Sequence, residues 1–256
     1  MGGLTVMRAL RARLPGEDYV YLGDTARLPY GTKSAETVTR YAVQASAALM
    51  RHGIKLLVVA CNTASAAALP TLAETLAPLP VVGVIAPGAA AAVAAAPDGP
   101  IAVIATEGTV KGGAYVRAIQ AIAPHMPVVQ QAAPLFVALA EEGLHDGPLP
   151  ELAAQRYLGP LLATVPRPRG LVLGCTHFPV LKQVIAQVAG PEVTLIDSAE
   201  TTAAAVGDVL RKQNLLNGEG GTARFLATDA PGRFAHLGQI FLGEPIDPGS
   251  VTLVDL

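Results

Sequence analysis

Cys61 and Cys175 are the only thiols in the 256 residues, and the two lie in matching surroundings. Leu57-Val58-Val59-Ala60-Cys61-Asn62-Thr63-Ala64 and Leu171-Val172-Leu173-Gly174-Cys175-Thr176-His177-Phe178 follow one plan. Each reads as an apolar strand, a small residue, Cys, a polar residue with Thr, and then a helix, with Pro70 and Pro179 following. Internal repetition of this kind points to two equivalent corners of two similar halves. A thiol at a helix N-terminus meets backbone N–H groups and the positive end of the helix dipole, so both cysteines are expected to be more acidic than an ordinary thiol of about 8.5. Inverting a carbon centre requires one group to take a proton and a second, on the opposite face, to return one. Because such a reaction is reversible, each group must act as base in one direction and acid in the other, so the same residue type is needed twice. The competing reading is that both are small buried hydrophobes, as free cysteines usually are; their recurrence in one local pattern favours the chemical reading.

The elements that must position these thiols alternate along the chain. Short β-rich runs cover Tyr19 to Leu22, Lys55 to Val59, Val81 to Ile85, Ile101 to Ala105, Leu171 to Leu173 and Val193 to Ile196. Helical stretches are predicted for Ser34 to His52, Ala64 to Leu76, Ala114 to Ala123, Glu151 to Thr164, Val180 to Val188 and Thr201 to Gln213. The tail from Thr222 reads as strand, helix and coil. Alternation of this type predicts an α/β fold with mainly parallel sheets, and continuous apolar runs predict strands covered on both faces. Punctuation at Ala86-Pro87-Gly88 and Pro97-Asp98-Gly99-Pro100 predicts a domain crossing near residue 85, with a return near 199. Residues 1–84 plus 200–256 then form one α/β domain and 85–199 a second, similar one related by pseudo-twofold symmetry. In open parallel sheets ligands collect at the carboxyl ends of strands, which places the active site in the crevice between the halves.

Composition narrows the function classes. A formal net charge of -2 with no basic run gives no electrostatic reason for a nucleic acid partner or an anionic membrane, and a small-molecule ligand is expected instead. The apolar stretches are short and interrupted, so no membrane span is expected, and the first residues lack the pattern of a secretory signal. A cytoplasmic location follows, with both thiols reduced. The five histidines and two cysteines show no metal-ligand spacing, so no metal is expected. No cofactor is expected either: none of Lys33, Lys55, Lys111, Lys182 and Lys212 has the context of a Schiff-base lysine. The sequence allows a homodimer without specifying one.

Several further segments join the two cysteine motifs. They are Tyr21-Leu22-Gly23-Asp24-Thr25 with Leu28-Pro29-Tyr30-Gly31, Ala105-Thr106-Glu107-Gly108-Thr109-Val110, Pro134-Leu135-Phe136-Val137 and Leu195-Ile196-Asp197-Ser198-Ala199. In this order, across nearly the whole chain, they resemble the aspartate/glutamate racemase superfamily, and its glutamate racemase branch in particular. The resemblance implies that Cys61 and Cys175 donate and accept the proton. It also implies that Tyr30, Gly31, Asn62, Thr63, Thr176 and His177 contact substrate, with Thr106 and Thr109 as additional contacts. Hydroxyls, an amide and backbone N–H groups are a reasonable way to hold carboxylates without an arginine clamp. Asp24 and Glu141 resemble ordinary solvated carboxylates and stay outside the catalytic set. The activity implied is cofactor-independent interconversion of L- and D-glutamate for peptidoglycan synthesis.

The family's opening strand, ending in Asp-Ser-Gly, would precede the segment Gly2 to Val6, and the chain starts inside that loop. An upstream strand, an Asp assisting one cysteine and a Ser contacting substrate are therefore expected. The alternatives are racemisation of aspartate or a hydantoin, or a truncated homologue that is weakly active or only binds its ligand.

Overall fold

A computed structural model describes all 256 residues. The chain runs α1 (Gly3–Arg13), β1 (Tyr19–Gly23), α2 (Ala35–Met50), β2 (Leu57–Val59), α3 (Asn62–Thr75), β3 (Val81–Gly83) and α4 (Ile85–Ala95). It continues through β4 (Ile101–Ala105), α5 (Glu107–Gly112), α6 (Ala114–Ile122), β5 (Val128–Ala132), α7 (Leu135–Glu141), α8 (Pro148–Leu162), β6 (Gly170–Gly174), α9 (Lys182–Ala189) and β7 (Thr194–Asp197). The last elements are α10 (Ser198–Lys212), β8 (Ala223–Ala227), α11 (Pro231–Leu242) and β9 (Val251–Leu253).

All strand pairs are parallel. One sheet has the order β5-β4-β6-β7, and the earlier and later strands form β2-β3 and β1-β8-β9. Every residue of β4 and β6 is buried, which is why their sequences are continuous apolar runs rather than alternating ones. Successive side chains of β4 serve two cores, as the period of two requires. Ile101, Val103 and Ala105 pack with Tyr115, Ile119 and residues of α4 and α10. Ala102 and Ile104 pack with Phe136, Leu158, Phe178 and Ile185 on the other face, and Cys175 belongs to this second core.

Helix α1 joins separate parts of the molecule. Its Val6 and Leu10 pack against Val206 and Leu210 of α10, while its Leu4 and Met7 join Phe234 and Phe241 of α11. Strand β1 pairs only with β8, and β2 only with β3. The unpaired sides of β1 and β2 line one cavity of about 1050 Å³, which extends up to both cysteines.

Several boundaries differ from those the sequence suggests. Ala86-Pro87-Gly88 does not break the chain; it lies in the first turn of α4. Proline is tolerated there because the amide it lacks would have no partner inside the helix. The strand expected from Val81 to Ile85 therefore stops at Gly83. The tail contains a second strand, β9, where coil is expected. Elements α1, α5, α7 and β5 arise where the sequence suggests none. No helix is long and apolar enough to cross a membrane.

Candidate active site

Cys61 is the second of two residues between β2 and α3 and the N-cap of that helix, and its carbonyl accepts the amide of Ser65 at 2.8 Å as the helix begins. Cys175 follows β6 directly, but its surroundings are not the same. After Cys175 the chain makes a tight turn, with the Phe178 amide donating to the Cys175 carbonyl at 3.0 Å, and a short 3-10 helix over Phe178–Leu181 precedes α9. The two prolines are not equivalent either: Pro70 lies inside α3, whereas Pro179 starts the short 3-10 helix. The repeat is thus a shared strand-to-cysteine corner followed by different continuations.

Both thiols line the one large cavity, together with Tyr30, Gly31, Asn62, Thr63, Thr106, Thr176 and His177. Among the residues singled out in the sequence, Thr109 alone does not line it. Thr109 is fully buried and completes a cluster of three hydroxyls, with Thr63 to Thr106 at 2.9 Å, Thr106 to Thr109 at 3.0 Å and Thr63 to Thr109 at 3.3 Å. Thr106 also caps α5 by accepting the Thr109 amide. This cluster ties the start of α3 to the start of α5, joining the two sides of the crevice. Asn62 is held by the buried Tyr115 hydroxyl, which donates to its Oδ1 at 2.7 Å. The Asn62 Nδ2 is buried without a partner.

His177 stands between a thiol and a carboxylate. Its Nδ1 lies 3.7 Å from Cys175 Sγ, and its Nε2 lies 3.1 Å from Glu141 Oε1. Burial holds the imidazole below its usual range, which favours the neutral ring. The hydrogen bond from His177 keeps Glu141 below the usual carboxylate range. A neutral ring that donates Nε2–H to Glu141 presents Nδ1 to Cys175 as an acceptor. Glu141 therefore stands in the site rather than as the solvated carboxylate expected of it: it lies at the end of α7, and only the fold brings it to His177.

Residues 3–206 match the family described as Asp/Glu/Hydantoin racemase. The chain belongs to this family. The glutamate racemase of Geobacter metallireducens is 51% identical over 261 residues, covering 100% of this chain and 94% of the relative. Glutamate racemase isoform RacE1 from Bacillus anthracis has a similar structure, with a TM-score of 0.94 at 37% identity, covering 100% of this chain and 94% of that one. The glutamate racemase of Francisella tularensis, solved in complex with D-glutamate, gives a TM-score of 0.91 at 34% identity, covering 99% of this chain and 94% of that one. The chain is accordingly an amino acid racemase with an α/β fold.

In this racemase the thiols are not acidified as their place after strands suggests. Burial pushes Cys61 up, and the backbone N–H groups of Ala64 and Thr63 offset only part of that effect. Cys61 is half-buried because it lines the cavity, yet the protein packed around its sulfur still leaves the thiolate poorly solvated. Burial pushes Cys175 up to about 12, with the His177 backbone N–H opposing and the charge of Cys61 reinforcing the rise. Loss of water around a thiolate outweighs a few oriented N–H groups. The mutual effect of the two sulfurs matters for chemistry: like charges in one site disfavour double ionisation, so the pair favours at most one thiolate beside one thiol.

Proposed function

We propose that this racemase interconverts L- and D-glutamate without a cofactor, Cys61 and Cys175 acting on opposite faces of the α-carbon. One sulfur, as thiolate, removes the α-proton; the other, as thiol, delivers its proton to the opposite face. The observation that carries this reading is the presence of both thiols in one cavity, each at the end of a strand from a different sheet. Supporting it, the relatives from Geobacter metallireducens and Syntrophus aciditrophicus, 51% and 47% identical, are named glutamate racemases, and one solved neighbour is in complex with D-glutamate.

Around the thiols, Asn62 Nδ2, Thr63, Thr106 and Thr176 would bind the substrate carboxylates, and the turn of Tyr30 and Gly31 would close over it. Thr109 acts from behind by holding Thr63 and Thr106. His177, held by Glu141, would accept the Cys175 proton bond and keep that sulfur aimed. We assign residues 1–84 with 200–256 to one domain and 85–199 to the other, with the crevice between them. The product would supply D-glutamate for peptidoglycan synthesis in the cytoplasm.

Racemisation of a panel of amino acids in deuterated water, followed by chiral chromatography, tests the assignment. Glutamate should invert and gain deuterium at Cα; inversion of aspartate or a hydantoin but not of glutamate would overturn the substrate. Cys61→Ser and Cys175→Ser should each abolish inversion, and unchanged turnover in either would overturn the two-thiol mechanism.

A further inference from the structure

In the turn that carries Tyr30 and Gly31, several bonds converge on one carboxylate just after β1. Asp24 is nearly buried, with 8% of its side chain exposed. It takes three donors at once: Arg27 Nε at 2.8 Å and 2.9 Å to its two oxygens, the Tyr30 hydroxyl, and the Thr228 hydroxyl at 3.0 Å. Thr228 immediately follows β8 and also accepts the Ala26 amide at 2.9 Å, so the start of the turn is fixed to the next strand. The Arg27 guanidinium lies 4.2 Å above the Tyr41 ring of α2, which fixes the middle of the turn to that helix.

The phenol of Tyr30 consequently points back to Asp24. What the turn offers the cavity is the tyrosine ring and the backbone at Gly31. That backbone reaches the opposite side of the crevice. A Cβ on Gly31 would stand 2.8 Å from Thr106 Cβ, and a Cβ on Gly108 would stand 2.9 Å from the Gly31 carbonyl oxygen. The turn is thus wedged between its anchor at Asp24 and the start of α5.

We propose that Asp24 is a positioning residue for the reaction: by holding Arg27 and Tyr30 together, its carboxylate sets the Tyr30–Gly31 turn against Thr106 across the crevice. The substrate-related part of this inference rests on the glutamate reading above. A group that grips the substrate equally in the ground and transition states affects KM rather than kcat. Loosening the turn should therefore raise KM for glutamate while kcat changes much less.

The test compares the wild type with Asp24→Ala, Tyr30→Phe and the double variant. Tyr30→Phe removes one hydrogen bond and leaves Asp24 paired with Arg27 and Thr228, so it keeps the test open if Asp24→Ala folds poorly. Each single change should raise KM about tenfold, equivalent to about 1.4 kcal/mol of lost substrate binding. The double variant should be no worse than Asp24→Ala alone, because both changes cut the same link. Unaltered KM in Tyr30→Phe, or effects that multiply in the double variant, would overturn the proposal. Amide hydrogen exchange over residues 28–33 gives a readout independent of turnover, and should be faster in both single variants than in wild type. Wild type that inverts no glutamate would overturn the substrate reading; unchanged exchange in the variants would overturn the anchor.

Discussion

The rise of the Cys175 thiol to about 12 has a consequence that can be measured without any substrate. At pH 8 a thiol with that value is ionised in about one molecule in ten thousand, against about one in four for an ordinary thiol near 8.5. The ionised fraction alone would slow reaction with a small aromatic disulfide by about 2400-fold relative to a free thiol. A more basic thiolate is also a better nucleophile, and with a Brønsted slope of about 0.4–0.5 that returns a factor of about 25–55. The net deficit is then on the order of 40- to 100-fold, before any further loss from restricted access. The experiment uses Cys61→Ser, so that Cys175 is the one remaining thiol; this removes the smaller contribution of the Cys61 charge and leaves burial, the largest cause of the rise, in place. Modification is followed by mass spectrometry from pH 6.5 to 10. The rate should rise about tenfold per pH unit throughout, because the thiolate fraction does so below the pKa. A plateau below about pH 9, or a rate at pH 8 equal to that of a free thiol, would refute the argument that burial outweighs the oriented N–H groups.

Two other expectations concern the packing around the crevice. Gly31→Ala forces a methyl to 2.8 Å from Thr106 Cβ, and overpacking of this kind costs about 1–3 kcal/mol. Thermal melting should show a fall of several degrees and the racemisation assay a loss of kcat/KM; unchanged values of both would show that the turn is not wedged. Thr109→Val removes one hydroxyl from the buried cluster at a cost of about 1 kcal/mol, which lowers Tm by about 2–4 °C in a chain of this size. KM should rise by only a few fold, since Thr109 holds Thr63 and Thr106 but does not itself line the cavity; a rise of about tenfold or more would return it to the substrate contacts.

What the sequence made legible follows the depth of burial. Strands β4 and β6 were readable as continuous apolar runs because helices cover both their faces. Strand β5 was not, because it is an edge strand whose half-buried Val128-Val129-Gln130-Gln131-Ala132 carries two glutamines and shows no such run. Helix α4 was partly hidden by Pro87 and Gly88, which resemble a break until the proline is placed in the first helical turn. The cysteines could be found by comparing the chain with itself. Their acidity could not, since local sequence shows the helix start but not the weight of protein around it. Asp24 and Glu141 are the same kind of case. Each resembles a solvated carboxylate along the chain, and each gains its meaning from partners brought in by the fold: Thr228 for one and His177 for the other.

The raised thiols fit the proposed reaction better than acidified ones would. An α-proton of an amino acid is weakly acidic, and a more basic sulfur gives a stronger pull on it; the difficulty is that such a sulfur is rarely ionised. Holding a thiol of about 12 as thiolate at pH 8 costs about 5.5 kcal/mol, from four units at about 1.4 kcal/mol each. The substrate supplies what offsets part of this. Its ammonium group, bound within about 4–6 Å of a sulfur, favours the charged form by about 1–3 units. Ionisation is then coupled to binding: the free site holds both thiols protonated, and substrate arrival displaces a proton from one of them. Calorimetric titration of glutamate into the enzyme, run in two buffers of different ionisation enthalpy, measures this directly. At pH 9 up to about half a proton should be released per substrate bound, falling about tenfold for each pH unit below that, and Cys61→Ser with Cys175→Ala should release less. Equal heats in the two buffers at pH 9 as well as at pH 7 would mean that substrate binding displaces no proton from either thiol, and the coupling would be wrong.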